Sequence, residues 1–175
     1  ICDHVGRLRG KGIGGTGSLC HCLIAQHMKI CIGMFGTCGG SKWREPMIEK
    51  FNEQGIEFYN PQVDNWTPEC AIDEAQHLAE DAIILFPVTG ETTAVASLSE
   101  VGFSILNAIR LDNQRDFVIM VEPDLTDELK KTISPQQAKD SIRARALVNE
   151  HLKKMRLSSL YIVSSLDEMY ETAVA

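Results

Sequence analysis

The sequence predicts an α/β fold in which a doubly wound, five-stranded parallel sheet carries helices on both faces. At 175 residues, one domain of ordinary size is expected. From Met28 onward, short apolar runs alternate with segments of helical periodicity, which is typical of a parallel sheet. The run AIILFPV (82–88) is apolar throughout, as expected of a central strand buried on both faces. Right-handed crossovers then favour the strand order 2-1-3-4-5.

The first half of this sheet is predicted from strand patterns and from helix start and stop signals. Thr67 and Pro68 have the residue types of an N-cap and a first helical position, and Gly55 is a helix stop. The proline in the loop 61–66 cannot donate to a strand ladder, so the second strand ends before it. The predicted elements are strand 29–35, helix 42–54, strand 56–60, helix 68–81 and strand 82–88.

The second half follows from the same signals. Apolar residues recur at helical spacing after the central strand, and Ser134 with Pro135 starts a long helix. Ser165 and Glu168 form a capping-box pattern that predicts a short final helix. The predicted elements are helix 97–111, strand 116–122, helix 134–155, strand 160–165 and a helix after Ser165.

Residues 1–27 differ in composition from the rest of the chain. This segment is rich in glycine and has no sustained hydrophobic period. Its GKGIGGTGS run lacks the G-K-[ST] ending of a phosphate loop, and no strand precedes it. We interpret it as a leader or extension without chemistry, and we expect the functional domain to span 28–175.

Charge and hydropathy exclude two classes of partner. The net charge is −7 and the pI is about 5.2, so the long-range field repels nucleic acid polymers. No apolar run reaches the roughly 18 residues of a transmembrane helix, so no membrane interaction is predicted. Small molecules are therefore the expected ligands.

Cysteine and histidine spacing predicts neither a metal site nor a disulfide framework. The six cysteines include no CxxC pair, and we expect a reducing, cytoplasmic compartment. Cys31 lies in an apolar strand pattern and is expected to be a small buried residue. Asp81 is interpreted as a helix-end residue, and His77 and His151 as solvated helix residues.

Glu100 admits two interpretations. The pattern SLSE (97–100) matches a capping box, in which Ser97 and Glu100 satisfy each other's backbone N–H groups. The same carboxylate follows the central strand, where doubly wound sheets bind ligands, and is directed away from the predicted core face. There it is a candidate nucleophile toward an anomeric carbon.

Four other residues are candidates with structural alternatives. Asp73 could supply the second carboxyl that a leaving group requires, or be a solvated surface charge. Trp66 could stack on a flat base or cover the core edge, and Asp64 is a hydrogen-bonding or turn residue. Arg44, at a helix N-terminus, could favour an anion or simply be exposed.

Four segments together give the sequence a family resemblance. MFGTCGGSKWREPM, GIEFYNPQVDNWTPE, the stretch from Asp73 to Asp81, and SLSEVGFSI resemble the nucleoside 2-deoxyribosyltransferase-like family. The N-P-x-V-x-x-W signature indicates its divergent branch. The resemblance covers roughly 30–110, and it implies a flavodoxin-like, Rossmann-like sheet.

The resemblance also implies site residues. Glu100 corresponds to the family nucleophile, and Asp73 to an aspartate that contacts the base and assists proton transfer. Gly36 corresponds to a glycine that lets the first strand approach the substrate. Ala94 is a departure, because the better-studied branch carries a substrate-contacting aspartate there. The substrate-binding residues expected on this basis are Phe35, Gly36, Asn60, Asp64 and Trp66.

The implied reaction cleaves the N-glycosidic bond of a 2′-deoxynucleoside and transfers the sugar to another base. Its partners are nucleosides and free bases, it needs no cofactor or metal, and related transferases are commonly homo-oligomers. Two alternatives stay open. One is a hydrolase of nucleosides or nucleotides, favoured if Arg44 and the GGS turn (39–41) bind phosphate. The other is a nucleotide-binding module without catalysis.

Overall fold

A five-stranded, all-parallel sheet of order β2-β1-β3-β4-β5 forms the centre of the molecule, as predicted. The computed structural model describes residues 31–65, 67–110 and 115–175, so the predicted extension 1–27 lies outside the described residues. The strands are β1 (Ile32–Met34), β2 (Phe58–Tyr59), β3 (Ile83–Val88), β4 (Asp116–Val121) and β5 (Leu160–Ile162).

Helices connect these strands and cover both faces of the sheet. Five of the described helices match the predicted ones within a few residues, and the short α4, capped by the Thr126 hydroxyl, was not predicted. None of the helices in the described ranges combines the length and apolar character of a membrane span. The helices are α1 (Arg44–Gln54), α2 (Pro68–Glu80), α3 (Val95–Arg110), α4 (Asp127–Thr132), α5 (Pro135–Leu152) and α6 (Leu166–Val174).

The core has two apolar layers, one on each face of the sheet. One layer packs α1 and α6 against the sheet through Phe51 and Met169, both fully buried. The other contains Phe86 of β3 together with Val101 of α3 and Leu152 of α5. Strands β3 and β4 contribute to both layers, which explains their continuous apolar sequences.

The helix termini show which capping predictions hold. Gly55 adopts φ 66° after α1, a left-handed conformation that favours glycine. Ser165 accepts a hydrogen bond from the Glu168 N–H, as predicted. The Glu168 carboxylate, however, accepts from the Ser164 N–H instead of closing the box on Ser165. The predicted box is therefore only half formed.

Candidate active site

A cavity of about 460 Å³ opens at the carboxyl ends of β1 and β3, where the strand order reverses. This is the position predicted for the ligand cleft, and the volume lies in the range of small-molecule sites. Its lining comes from the loop after β1, the start of α1, the middle of α2, and the loop and first turns of α3. The lining residues are Phe35, Gly36, Cys38, Gly39, Arg44, Pro61, Glu74, Thr92, Thr93, Ala94, Val95, Ala96, Ser97 and Glu100.

Gly36 lets two strands' ends meet at the floor of this cavity. The Thr37 N–H donates to the Pro87 carbonyl over 2.9 Å, which extends the β1–β3 pairing beyond β1. Gly36 has φ 95°, and a Cβ atom there would collide with the same Pro87 carbonyl oxygen. Glycine is therefore required by this close backbone approach, in addition to any approach of substrate.

The side chains of Arg44 and Trp43 hold the loop after β1 from below. Arg44 is buried and donates from Nε to the Met34 carbonyl over 3.0 Å and from Nη1 to the Thr37 carbonyl over 2.8 Å. Trp43 Nε1 donates to the same Thr37 carbonyl over 2.9 Å. Burial lowers the pKa of Arg44, and the neighbouring Cys38 opposes that shift. Arg44 is thus a structural clamp at the cavity wall and not an exposed cation.

A second arginine holds the loop that leads from β3 into α3. Arg145 of α5 is fully buried, and its guanidinium donates four hydrogen bonds of 2.7–3.2 Å to backbone carbonyls. These acceptors belong to Val88, Thr89, Thr92 and Glu122. The Ser141 hydroxyl, also from α5, donates to the Thr93 carbonyl over 3.0 Å. The path of the loop into α3 is therefore fixed by α5.

The start of α3 decides between the two interpretations of SLSE. The helix begins at Val95, and the Leu98 N–H donates to the Ala94 carbonyl over 2.9 Å. Ala94 therefore occupies the N-cap position, in an uncommon left-handed conformation with φ 53°. Ser97 lies inside the first turn, so the capping-box interpretation is wrong. Glu100 stands in the second turn without that backbone role.

Two glutamates share the cavity, and desolvation raises the pKa of both. Glu100 is reachable from solvent, yet desolvation by the cavity wall raises its pKa, and the negative charge of Glu74 raises it further. Desolvation also raises the pKa of Glu74, while Arg44 acts in the opposite direction. Perturbed carboxyl groups in a cleft are typical of catalytic sites.

Three of the predicted site residues line the cavity. Glu100 lies on its α3 side, and Gly36 lies at the end of β1. Phe35 is buried beneath the cavity, with its ring centroid 6.0 Å from that of Tyr59. The structure therefore brings together the predicted nucleophile and the backbone glycine on an apolar floor.

The other predicted residues lie elsewhere or outside the described ranges. Asp73 is exposed and does not line this cavity, although its neighbour Glu74 does. Asn60 Oδ1 accepts a hydrogen bond from the Gln62 N–H over 3.1 Å, which forms a local turn. Asp64 is exposed, and Trp66 lies outside the described residues.

Glu74 was not predicted as a site residue, although its position on the helix places it on the face of α2 that packs against the core. It lies four residues before Leu78, which packs against the core, and so shares the inner face of α2. Asp73 is rotated by about 100° from that face, since an α-helix has 3.6 residues per turn. His77, for which a solvated position was predicted, lies three residues after Glu74 and is partly exposed.

The segment that builds this cavity matches a known protein family. Residues 32–111 match the family described as nucleoside 2-deoxyribosyltransferase like. The predicted resemblance to this family is confirmed over that segment. The match spans slightly less than half of the chain, and no curated protein matches.

Every residue that lines the cavity falls within the segment matching the nucleoside 2-deoxyribosyltransferase-like family. The match supports a related, transferase-like function on small nucleoside substrates. β4, β5 and their helices lie beyond the matched segment, but α5 supplies the clamp that positions its last loop.

Proposed function

We propose that the protein cleaves the N-glycosidic bond of 2′-deoxynucleosides and transfers the deoxyribosyl group to another base through a covalent intermediate on Glu100. The observation that carries the proposal is that Glu100 and Glu74 line one cavity, where the charge of Glu74 adds to the increase in the pKa of Glu100. Two carboxyl groups across a glycosidic bond suffice for a double displacement. The family match supports the same substrate class.

In the first half of the proposed reaction, an ionised Glu100 oxygen attacks C1′ of the nucleoside. A C–O ester bond forms while the bond between C1′ and the base nitrogen breaks, and the departing base takes up a proton. In the second half, a nitrogen of an incoming base attacks C1′, displaces the Glu100 carboxylate and gives its proton back to the group that protonated the first base. Two inversions give net retention at C1′.

Within this proposal, Glu74 is the better-placed proton donor, and the sequence-based role of Asp73 stays a prediction. Glu74 lines the cavity, and desolvation raises its pKa, so its protonated form persists to higher pH than in an exposed glutamate. Asp73 is exposed on the neighbouring face of α2. General acids of this kind contribute about 10²–10⁴-fold to the rate.

A nucleotide hydrolase receives less support from the loop after β1. Arg44 already donates to two backbone carbonyls, and the Ser41 hydroxyl contacts the Glu91 carboxylate. That carboxylate also accepts a hydrogen bond from the Thr89 hydroxyl, so a negative group lies against the GGS turn and disfavours phosphate there. We therefore favour nucleosides over nucleotides as substrates.

We further propose a cytoplasmic homo-oligomer that acts in nucleotide salvage. The absence of a membrane-spanning helix among the described residues agrees with this location. The cavity is open on one side, which leaves room for a second copy to complete it.

The test is intact-protein mass spectrometry after brief mixing with each 2′-deoxynucleoside. Wild-type protein should gain the mass of one deoxyribosyl group, and Glu100→Gln should gain none. Glu80→Gln, an exposed glutamate at the end of α2, is the control and should behave as wild type. Glu74→Gln and Asp73→Asn compare the two candidate acids: adduct formation should slow by about 10²–10⁴-fold in the first and little in the second.

Addition of a second base to the adduct separates transfer from hydrolysis. Transfer predicts a new nucleoside, whereas a hydrolase releases free deoxyribose at the same rate with or without the base. If neither deoxynucleosides nor their monophosphates yield an adduct or free base, the binding-module alternative replaces this proposal.

A further inference from the structure

Three potential metal ligands meet at the amino ends of β1 and β3, opposite the cavity at the carboxyl ends. Cys31 precedes β1, His77 lies in the last turn of α2, and Asp81 follows that helix before β3. One ligand atom from each lies within 4.8 Å of the other two. Because β1 and β3 are parallel neighbours, with Ile32 paired to Ile83, the fold itself brings these positions together.

Asp81 is the most unusual of the three groups. Its side chain is only 5% exposed, and Oδ1 lies 2.9 Å from His77 Nδ1. Its second oxygen, Oδ2, is buried without a hydrogen-bond partner among the described residues. The charge of Arg115 interacts with Asp81, but the hydrogen bonds from Arg115 go to backbone carbonyls. A buried carboxylate with an unused oxygen needs a further partner.

His77 is held rigidly and can still be reached from outside. Its ring stacks on Tyr59 with centroids 3.6 Å apart and an interplanar angle of 6°. Its side chain keeps 38% of its exposure, which provides a route for a small ion. A fixed imidazole beside a carboxylate and a thiol is a donor set that suits a borderline-soft divalent cation.

We propose that Cys31, His77 and Asp81 bind one Zn²⁺ ion at the amino ends of β1 and β3. The thiol would lose its proton on binding, and the resulting thiolate and the carboxylate balance the two charges of the ion. Water would complete a tetrahedral shell. None of the three residues lines the glycosyl-transfer cavity, and the proposal does not rest on the reaction proposed there. The sequence concealed it because Cys31 is 46 positions from His77.

The experiment is a Zn²⁺ titration of the full chain under reducing conditions, against a chromogenic chelator. Co²⁺ is used in parallel, since a cobalt–thiolate bond absorbs in the near ultraviolet. Wild-type protein should bind with an affinity that Cys31→Ser and His77→Gln each lower by at least about a hundredfold. Both variants should lose the cobalt–thiolate band. Zn²⁺ should also raise the melting temperature of wild type, and this increase should vanish in the variants.

Matched controls are Cys38→Ser, Cys70→Ser and His151→Gln, which remove the same groups elsewhere in the described chain. These variants should keep the wild-type affinity. Circular dichroism shows whether each variant is folded, and if Asp81→Asn unfolds, the two partly exposed ligands still decide the matter. Unchanged Zn²⁺ affinity in folded Cys31→Ser and His77→Gln would overturn the proposal, as would an equal loss in Cys38→Ser.

Discussion

Glu100 and Glu74 are subject to opposing requirements at the scale of single residues. The proposed attack needs an ionised Glu100, but both the cavity wall and Glu74 favour its protonated form. At Glu74, desolvation raises the pKa and the charge of Arg44 opposes that increase. The charge of Glu74 therefore contributes to the increase in the pKa of Glu100, and the ionised form that attacks is disfavoured in this cavity.

The first prediction concerns the pH dependence of glycosyl transfer. Removing the Glu74 charge by Glu74→Gln should lower the pKa of Glu100, because one of the two causes that raise it is lost. The acid limb of adduct formation should then move to lower pH. It is measured with a deoxyribosyl donor whose leaving group needs no proton, so that loss of the general acid does not interfere. An unchanged acid limb would show that Glu100 does not control it.

The second prediction concerns stability and follows from the same shift. A carboxyl with a raised pKa binds its proton more tightly in the folded state, so folding stability falls as pH rises from the ordinary glutamate pKa to the raised value. At neutral pH the cost is complete, and Glu100→Gln should raise the free energy of unfolding there. Below about pH 4 the difference should disappear.

Urea unfolding at the two pH values measures this difference, with exposed Glu53→Gln as the control. A capping role would give the opposite sign, a loss of roughly 1 kcal/mol at neutral pH. Stabilisation by Glu100→Gln together with loss of the adduct would thus separate function from structure at this residue.

At the scale of elements, two buried arginines define the loops that surround the cavity. Arg44, from α1, holds the loop after β1, and Arg145, from α5, holds the loop after β3. In both cases the acceptors are mainly backbone carbonyls, which otherwise would lack partners beyond the sheet ladder. The position of Glu100 therefore depends on α5, a helix that contributes nothing to the cavity lining.

The third prediction is that Arg145→Met destabilises the fold by about 2–4 kcal/mol, because it removes four hydrogen bonds to backbone carbonyls, two of them buried. The KM for the nucleoside should rise as the loop before Glu100 loses its position. Calorimetry and steady-state kinetics check both effects. The exposed Arg143→Met on the same helix should change neither, and equal effects in the two variants would contradict the clamp.

At the scale of the whole molecule, the sequence predicted the topology better than the site. The period-2 and period-3.6 patterns, together with the buried run 82–88, sufficed for the strand order. Glu100 followed from the chain order, since it comes directly after the central strand. To predict that Glu74 and not Asp73 lines the cavity, one needs to know which face of α2 points inward. A capping pattern gives the start of a helix only to within a few residues, and so does not give that face.

Contacts between distant segments were the part that the sequence could not supply. Cys31 is partly exposed and lies beside His77 and Asp81, where a small buried residue was expected. The true start of α3 also depends on long-range bonds, since Arg145 and Ser141 fix the preceding loop. A local SLSE pattern contains no information on those bonds.

The fourth prediction is that contacts at the amino ends and at the carboxyl ends of the strands contribute independently to stability. His77→Gln removes a contact at the amino end of β3 and Ser141→Ala removes one at its carboxyl end. The six residues of β3 span roughly 20 Å. Each should cost about 1 kcal/mol, through a lost hydrogen bond. In the double variant the two costs should add within about 0.5 kcal/mol.

Chemical denaturation of the two single variants and the double variant gives the coupling energy directly. A coupling above about 1 kcal/mol would mean that the two ends of the sheet communicate, and the prediction would then be wrong.

The acceptors that Arg145 uses have a consequence for laboratory evolution. Every amino acid supplies a backbone carbonyl, so the clamp on Thr89 and Thr92 does not depend on which side chains those positions carry. Libraries that randomise Thr93, and keep Thr92 because its hydroxyl accepts a hydrogen bond from the Ala94 N–H, can therefore explore new substrates while the loop keeps its path. The path of the loop is set by α5, whereas the side chains that it presents to the cavity can vary.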